Sequence, residues 1–218
     1  MMVKMHIFNS RDDWLKNRLK GIGGSEVSAI VGHNPYMNNV ELWEYKTGHK
    51  QPEDISDKPY VIFGTNAEEH MREMFKLDFP ELKISYTDNN CFINDKFPWA
   101  QASLDGWIED QDGRRGILEI KTTEILASMH REKWRDCLPM NYYCQVLFYM
   151  AVYEADFAIL KARLKTVFDG LPSAQIKHYK IERKEVQDDI EYLMQKGSEF
   201  WNNYVLTGKK PPLVLPSI

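Results

Sequence analysis

The chain has 218 residues, 43% of them hydrophobic and 28% charged, enough apolar material for the core of one large domain or of one domain with a small appendage. Its formal net charge of −4 excludes a globally basic nucleic-acid binder, so any nucleic acid must meet a local basic surface on an acidic body. No apolar run is long enough for a membrane span, and the opening M-M-V-K-M-H-I-F carries neither a signal core nor a cleavage site, so the expected compartment is the cytoplasm.

In chain order, Ser10 caps a helix that carries Asp12 and Asp13 in its first turn and ends at Gly21. After the glycines G-I-G-G, 25–31 reads as a short helix, N-P-Y at 34–36 as a turn, and 40–47 as another short helix closed by Gly48. A helix starting at Ser25 aims N–H groups and a positive dipole outward. With the Ser25 hydroxyl and the Arg18 guanidinium it would form a pocket for a terminal phosphate. An ordinary helix-to-helix turn explains the glycines equally well. Residues 50–58, K-Q-P-E-D-I-S-D-K, read as a mobile loop, and Pro59 starts an amphipathic helix to about residue 78. On that helix Glu68 and Glu69 point about 100° apart.

Short strands at 82–86 and 91–93 flank D-N-N. A hairpin follows: Leu104, Trp107 and Ile108 mark one strand, D-Q-D-G a turn, and 116–121 the second strand. Side chains alternate, so Glu119 and Lys121 share one face while Leu118 and Ile120 point into a core. Asp105 on the neighbouring strand can reach the Glu119 face. Two carboxylates and an ammonium then converge, a hard-oxygen site for magnesium beside a lysine that can orient or activate water. The alternative is a hairpin with solvated charges. Cys91, Cys137 and Cys144 are widely spaced, with no C-x-x-C, and the histidines show no H-E-x-x-H, so a thiolate or imidazole metal site is not expected.

Residues 124–138 carry no assignable pattern. A strongly apolar helix runs over 139–153, and its polar Gln145 must find a partner if buried. Strands at 157–167 and 174–181 are joined by D-G-L-P, and a last helix covers 185–206, stopped by Gly208 and the prolines beyond. In K-A-R-L-K the cations Lys161, Arg163 and Lys165 share one strand face, with Lys177, Lys180, Arg183 and Lys184 following. The face reads either as the local basic surface for DNA or as a solvated sheet face. This order of elements predicts a mixed central sheet with helices on both sides.

The spacing Asp105-x13-Glu119-x-Lys121 resembles the catalytic hairpin of the PD-(D/E)xK nucleases, with Leu104-Asp105 replacing the leading P-D. Residues 21–48, the preceding W-L-K-N-R at 14–18, F-G-T-N-A-E-E-H at 63–70 and P-M-N-Y-Y-C-Q-V-L-F-Y-M at 139–150 resemble, in the same order, the motifs of the YqaJ-like viral recombinases. These are the phage alkaline exonucleases related to lambda exonuclease.

The resemblance implies an α/β, restriction-endonuclease-like core: a central mixed β-sheet flanked by helices. It implies a single nuclease domain over 1–218, with a helical phosphate-binding part at 1–50 and a catalytic core at 59–206. Asp105, Glu119 and the Ile120 carbonyl would hold magnesium, with manganese as a substitute, and Lys121 would act on the attacking water. Glu68 matches the family's helix-borne active-site glutamate, and Gln145 would bond the water or the scissile phosphate. Arg18 and Ser25 would take the 5′-phosphate.

The implied activity is 5′ to 3′ digestion of linear double-stranded DNA to mononucleotides, leaving 3′ single-stranded tails for recombination by strand annealing. Implied partners are DNA ends, a single-strand annealing protein and further copies of the chain in a ring-shaped trimer, in a bacterial cytoplasm and phage or prophage encoded. Other readings are a PD-(D/E)xK endonuclease or RecB-type repair nuclease, and a noncatalytic DNA-end-binding module.

Overall fold

The computed structural model describes residues 2–126, 131–169 and 171–215. The chain opens with β1 (Val3–Ile7), α1 (Arg11–Arg18), β2 (Ile22–Gly23), α2 (Gly24–Ile30), α3 (Asn39–Lys46) and α4 (Pro59–Asp78). Strands β3 (Lys83–Ser85), β4 (Asn90–Asn94), β5 (Phe97–Ala102), β6 (Gly106–Glu109) and β7 (Arg115–Glu124) follow. Then come α5 (Met140–Tyr153), β8 (Phe157–Phe168), β9 (Leu171–Glu182) and α6 (Gln187–Phe200). Helix starts follow side-chain chemistry. Ser10 accepts the Asp13 N–H at 3.1 Å, Asn38 accepts those of Val40 and Glu41, and α4 opens on Pro59, whose missing N–H costs nothing there.

Five strands in the order β3-β6-β7-β8-β9 make the mixed sheet that the sequence predicts. β6 and β7 pair antiparallel across the D-Q-D-G turn, where Asp110 Oδ1 accepts the N–H groups of Asp112 and Arg114 and Gly113 takes φ 75°. β7 and β8 run parallel, linked by a crossover that includes α5, and β9 returns antiparallel. Gly170, part of the D-G-L-P link expected from the sequence, lies outside the described residues. Leu118 and Ile120 pack under Met71 and Phe75 of α4, while Ile117, Ala158 and Leu160 join the larger core that contains α5. The two helices thus cover opposite faces of the sheet, and burying each large apolar side chain contributes about 1.5–3 kcal/mol.

A second sheet, β1-β4-β5-β2, was not expected from the sequence. β1 is a largely exposed edge strand, so its side chains show no buried alternation. β5 contains Pro98, a residue that argues against a strand, and it sits where the β4–β5 register shifts. G-I-G-G forms neither a helix end nor a simple turn: Ile22 and Gly23 pair parallel with Ala100 and Gln101. The last predicted helix is broken into a 3-10 turn (Arg183–Glu185), α6 and a π-helical turn (Trp201–Val205).

The strand K-A-R-L-K is also corrected. Lys161 is fully buried and pairs with Asp78 at 2.8 Å, Arg163 lies over the Phe63 ring, and Lys165 faces Glu124 at 3.3 Å. Lys161 and Arg163 thus lie against α4, while Lys165 stays partly exposed beside Glu124, so the face is not a free basic surface. Among the described residues, no helix is long and apolar enough to cross a membrane.

Candidate active site

β6 begins at Gly106, whose partner on β7 is Leu118. Beyond that pair β7 continues without a β6 neighbour, and Asp105, the residue just ahead of β6, fills the gap. Its Oδ2 accepts the Ile120 N–H at 2.8 Å. A strand residue directs its N–H and C=O to the same side, so the Ile120 carbonyl also faces this open edge. Asp105 therefore enters from the end of the neighbouring strand rather than from within it.

Glu119 and Lys121 point to the α5 face, as alternation predicts. Glu119 is 2% exposed. Its Oε1 accepts from Lys121 Nζ at 2.6 Å and from Gln145 Nε2 at 2.7 Å. Gln145 also donates to the Tyr149 hydroxyl at 3.2 Å, which answers the demand for a partner inside an apolar helix. Among the described residues, the buried Glu119 Oε2 has no hydrogen-bond partner. Lys121 Nζ also lies 5.1 Å from the Tyr142 ring centre.

The electrostatics follow from this crowding. Burial, reinforced by Asp105, pushes Glu119 up to about 8. Burial and Asp105 likewise push Glu68 on α4 up to about 7, against the pull of Arg72 and Lys121. Burial raises Asp105, although Lys121, the Ile120 N–H and Arg72 oppose it. Burial alone would lower Lys121, but Glu119 and Asp105 outweigh it and raise the ammonium. Three carboxylates thus share the positive charge of Lys121 and Arg72, and the cluster holds a proton near neutrality.

A single cleft of about 480 Å³ gathers the residues singled out in the sequence: Asp105, Glu119, Ile120, Lys121, Glu68 and Gln145 at one part, Arg18 and Ser25 at another. Arg18 Nη2 donates to Ser25 Oγ at 3.1 Å, and its guanidinium stacks 4.9 Å from the Trp14 ring centre. Glu26 accepts the Gly23 N–H at 2.7 Å and pairs with the buried Lys46 at 2.8 Å. The glycines serve packing within the protein: a Cβ on Gly24 would lie 2.3 Å from the Tyr149 ring, and one on Gly21 2.7 Å from the Trp99 carbonyl.

Sequence reasoning missed three supports. Buried Asn90 accepts the Leu104 N–H at 2.8 Å and donates to the Leu104 and Thr87 carbonyls, each at 2.9 Å, and so fixes the backbone next to Asp105. Ser103 links the Asn90 carbonyl to Trp14. Arg72, one turn after Glu68, donates to the Asp105 carbonyl at 3.3 Å and stacks on Tyr86. The i, i+4 pair Glu68–Arg72 was a readable signal. Asn90 looked like one more turn residue in D-N-N.

No three His, Cys, Asp or Glu side chains among the described residues form a ready-made metal cage. Magnesium does not require one, because it is commonly held by one or two carboxylates together with waters and substrate phosphate. The unpartnered Glu119 Oε2 beside Asp105 and the open-edge Ile120 carbonyl make an all-oxygen donor set that fits such an ion.

The family model described as the YqaJ-like viral recombinase domain matches residues 13–156. The uncharacterized protein YqaJ of Bacillus subtilis (strain 168) is 31% identical over 208 residues, which cover 94% of this chain and 59% of that protein. The chain thus spans about 59% of the length of this curated relative. An alkaline exonuclease, LHK-Exo from Laribacter hongkongensis, superposes with a TM-score of 0.65 at 18% identity, over 91% of this chain and 96% of that one. The same exonuclease in complex with dAMP gives 0.63. A phage-related exonuclease from Haemophilus somnus 129PT gives 0.51 at 14% identity, over 86% of this chain and 96% of that one. At these identities the solved structures bear on the fold: it is the restriction-endonuclease-like fold of phage-type exonucleases.

Proposed function

The chain belongs to the YqaJ-like viral recombinase family, and from that premise we propose that it is a magnesium-dependent exonuclease that digests linear double-stranded DNA from its 5′ ends. The observation that carries this reading is the charge arrangement at the β7 edge: Glu119 and Asp105 crowded beside Lys121, with one buried carboxylate oxygen left unpartnered. Such a site is costly to a fold that does not use it.

Asp105, Glu119 and the Ile120 carbonyl would hold the ion, with manganese a workable substitute. When bound, it supplies charge stabilisation to the phosphate and acidifies water. Lys121, which donates to Glu119 at 2.6 Å and is kept charged by Glu119 and Asp105, would orient the attacking water as a donor and offset the charge that develops on the phosphate. Gln145 keeps Glu119 in place through its 2.7 Å bond and presents its amide to the same space. Glu68, raised towards neutrality, can hold or release a proton at the cleft wall.

Arg18 and Ser25 suit the 5′-terminal phosphate: a guanidinium and a hydroxyl already in contact offer two charge-assisted or neutral donors in one place. Release of mononucleotides, 3′ single-stranded tails, a partner annealing protein, a ring of three copies and a bacterial, phage-encoded setting complete the proposal. Their support is family membership rather than any contact within this chain.

The test compares a linear duplex with a closed circle of the same sequence in magnesium. Loss of the linear DNA with survival of the circle is expected. Nicking or linearisation of the circle would favour an endonuclease, and tight binding without hydrolysis a noncatalytic end-binding module.

A further inference from the structure

We infer that Lys46 is a positioning residue for the terminal-phosphate pocket: it holds the Glu26 carboxylate off Arg18, so that the Arg18 guanidinium stays free for an incoming phosphate. The inference rests on the reading of Arg18 and Ser25 as the 5′-phosphate site and adds what keeps that site cationic. Glu26, in the first turn of α2, accepts the Gly23 N–H through Oε2 at 2.7 Å, a capping contact ordinary at a helix start. Lys46, from the last turn of α3, is not ordinary. Its side chain is 1% exposed, and a buried ammonium is costly unless it is paired and hydrogen-bonded. Here it is fully engaged. Nζ donates to Glu26 Oε1 at 2.9 Å, lies 2.8 Å from Glu26 Oε2 and donates to the Arg18 carbonyl at 2.8 Å.

The place of Glu26 gives the pair its role. A Cβ on Gly23 would lie 3.4 Å from Glu26 Oε2 and 3.5 Å from Arg18 Nη2, so carboxylate and guanidinium flank the same cleft residue. Opposite charges this close pair readily. Yet among the described residues Arg18 forms no ion pair, and its Nη2 donates to Ser25 Oγ instead. Both Glu26 oxygens are already taken by Lys46 and Gly23. Without Lys46 the carboxylate would be free to capture Arg18 and would repel a phosphate. Lys46 removes both effects, and its bond to the Arg18 carbonyl fixes the backbone of the same arginine.

Fluorescence anisotropy in calcium measures affinity for one short duplex bearing either a 5′-phosphate or a 5′-hydroxyl. The ratio of the two affinities cancels any unfolded fraction, and a merely structural residue would leave it unchanged. Wild type is expected to favour the phosphate roughly tenfold to a hundredfold. In Lys46→Met the ratio should fall most of the way to one. Adding Glu26→Gln should restore it, since no carboxylate is then left to capture Arg18, and Glu26→Gln alone should keep it. A wild-type ratio in Lys46→Met, or a double variant as poor as the single one, would overturn the inference and leave the phosphate site standing. If Lys46→Met does not fold, the double variant, which buries no lone charge, decides: a kept ratio supports the inference and a lost one overturns it. A ratio near one in wild type would instead sink the phosphate reading of Arg18 and Ser25, and this inference with it.

Discussion

Glu119 concentrates the chemistry at the residue scale, because it is buried, bonded at one oxygen and unpartnered at the other. Its carboxyl is raised to about 8 from an ordinary value near 4.5, so the folded, metal-free protein keeps a proton that the unfolded chain releases between those pH values. Stability without metal should therefore fall as pH rises from about 4.5 through about 8, and Glu68, raised to about 7, adds to the same slope. Glu119→Gln should flatten that fall while abolishing metal-dependent cleavage. Urea midpoints across this range in chelator check it, and parallel slopes for wild type and variant would contradict it. Lys121→Ala should lower the hydrolysis rate roughly a hundredfold or more while DNA-end binding persists, since in the proposed reaction the ammonium would serve water and developing charge. Single-turnover rates and anisotropy separate the two effects. Arg18→Ala should erase a preference for 5′-phosphate over 5′-hydroxyl ends that is roughly tenfold to a hundredfold in wild type, the value of a charge-assisted hydrogen bond. Initial rates on the two ends measure it; equal rates in wild type would leave Arg18 and Ser25 as structural residues.

At the scale of elements, the site depends on β6 beginning one residue after Asp105 and on the backbone ahead of it being clamped by Asn90. Asn90→Ala leaves the Leu104 N–H and C=O without their buried partner, at a cost of about 1–3 kcal/mol for each group left unsatisfied. A lowered melting temperature is expected, with a loss of rate beyond what restored folding at low temperature recovers, because Asp105 is displaced. A variant with normal rate per folded molecule would show that Asn90 only supports the fold. The hairpin was legible in the sequence because strand alternation is local: Glu119 and Lys121 had to share a face, and Leu118 and Ile120 had to take the other. Gln145 announced itself as a polar residue in an apolar helix. What escaped was non-local. Alternation showed that Lys161, Arg163 and Lys165 share a face, but nothing in that pattern says that Asp78 and Phe63 of α4 meet Lys161 and Arg163. β5 hid behind Pro98, and β1 behind its exposure at a sheet edge.

At the scale of the whole molecule, an acidic chain gathers Arg11, Arg18 and Lys121 with Glu68, Asp88, Asp105 and Glu119 along one cleft, so under the proposed function DNA would meet a mixed-charge site and not a basic body. The two sheets and the two faces of the central one converge there. α1 and α2 bring Arg18 and Ser25, β7 and α5 bring Glu119, Lys121 and Gln145, and α4 brings Glu68. The motifs spread along the sequence therefore line one cleft, and the proposed function would have it hold the terminal phosphate and the scissile bond together. The most direct measurement is digestion, in magnesium, of a linear duplex labelled at either its 5′ or its 3′ ends, with product lengths followed over time. The account predicts that the 5′ label appears first in mononucleotides while the 3′ label stays on long, increasingly single-stranded molecules. Early release of the 3′ label, or internal fragments from both substrates, would contradict it.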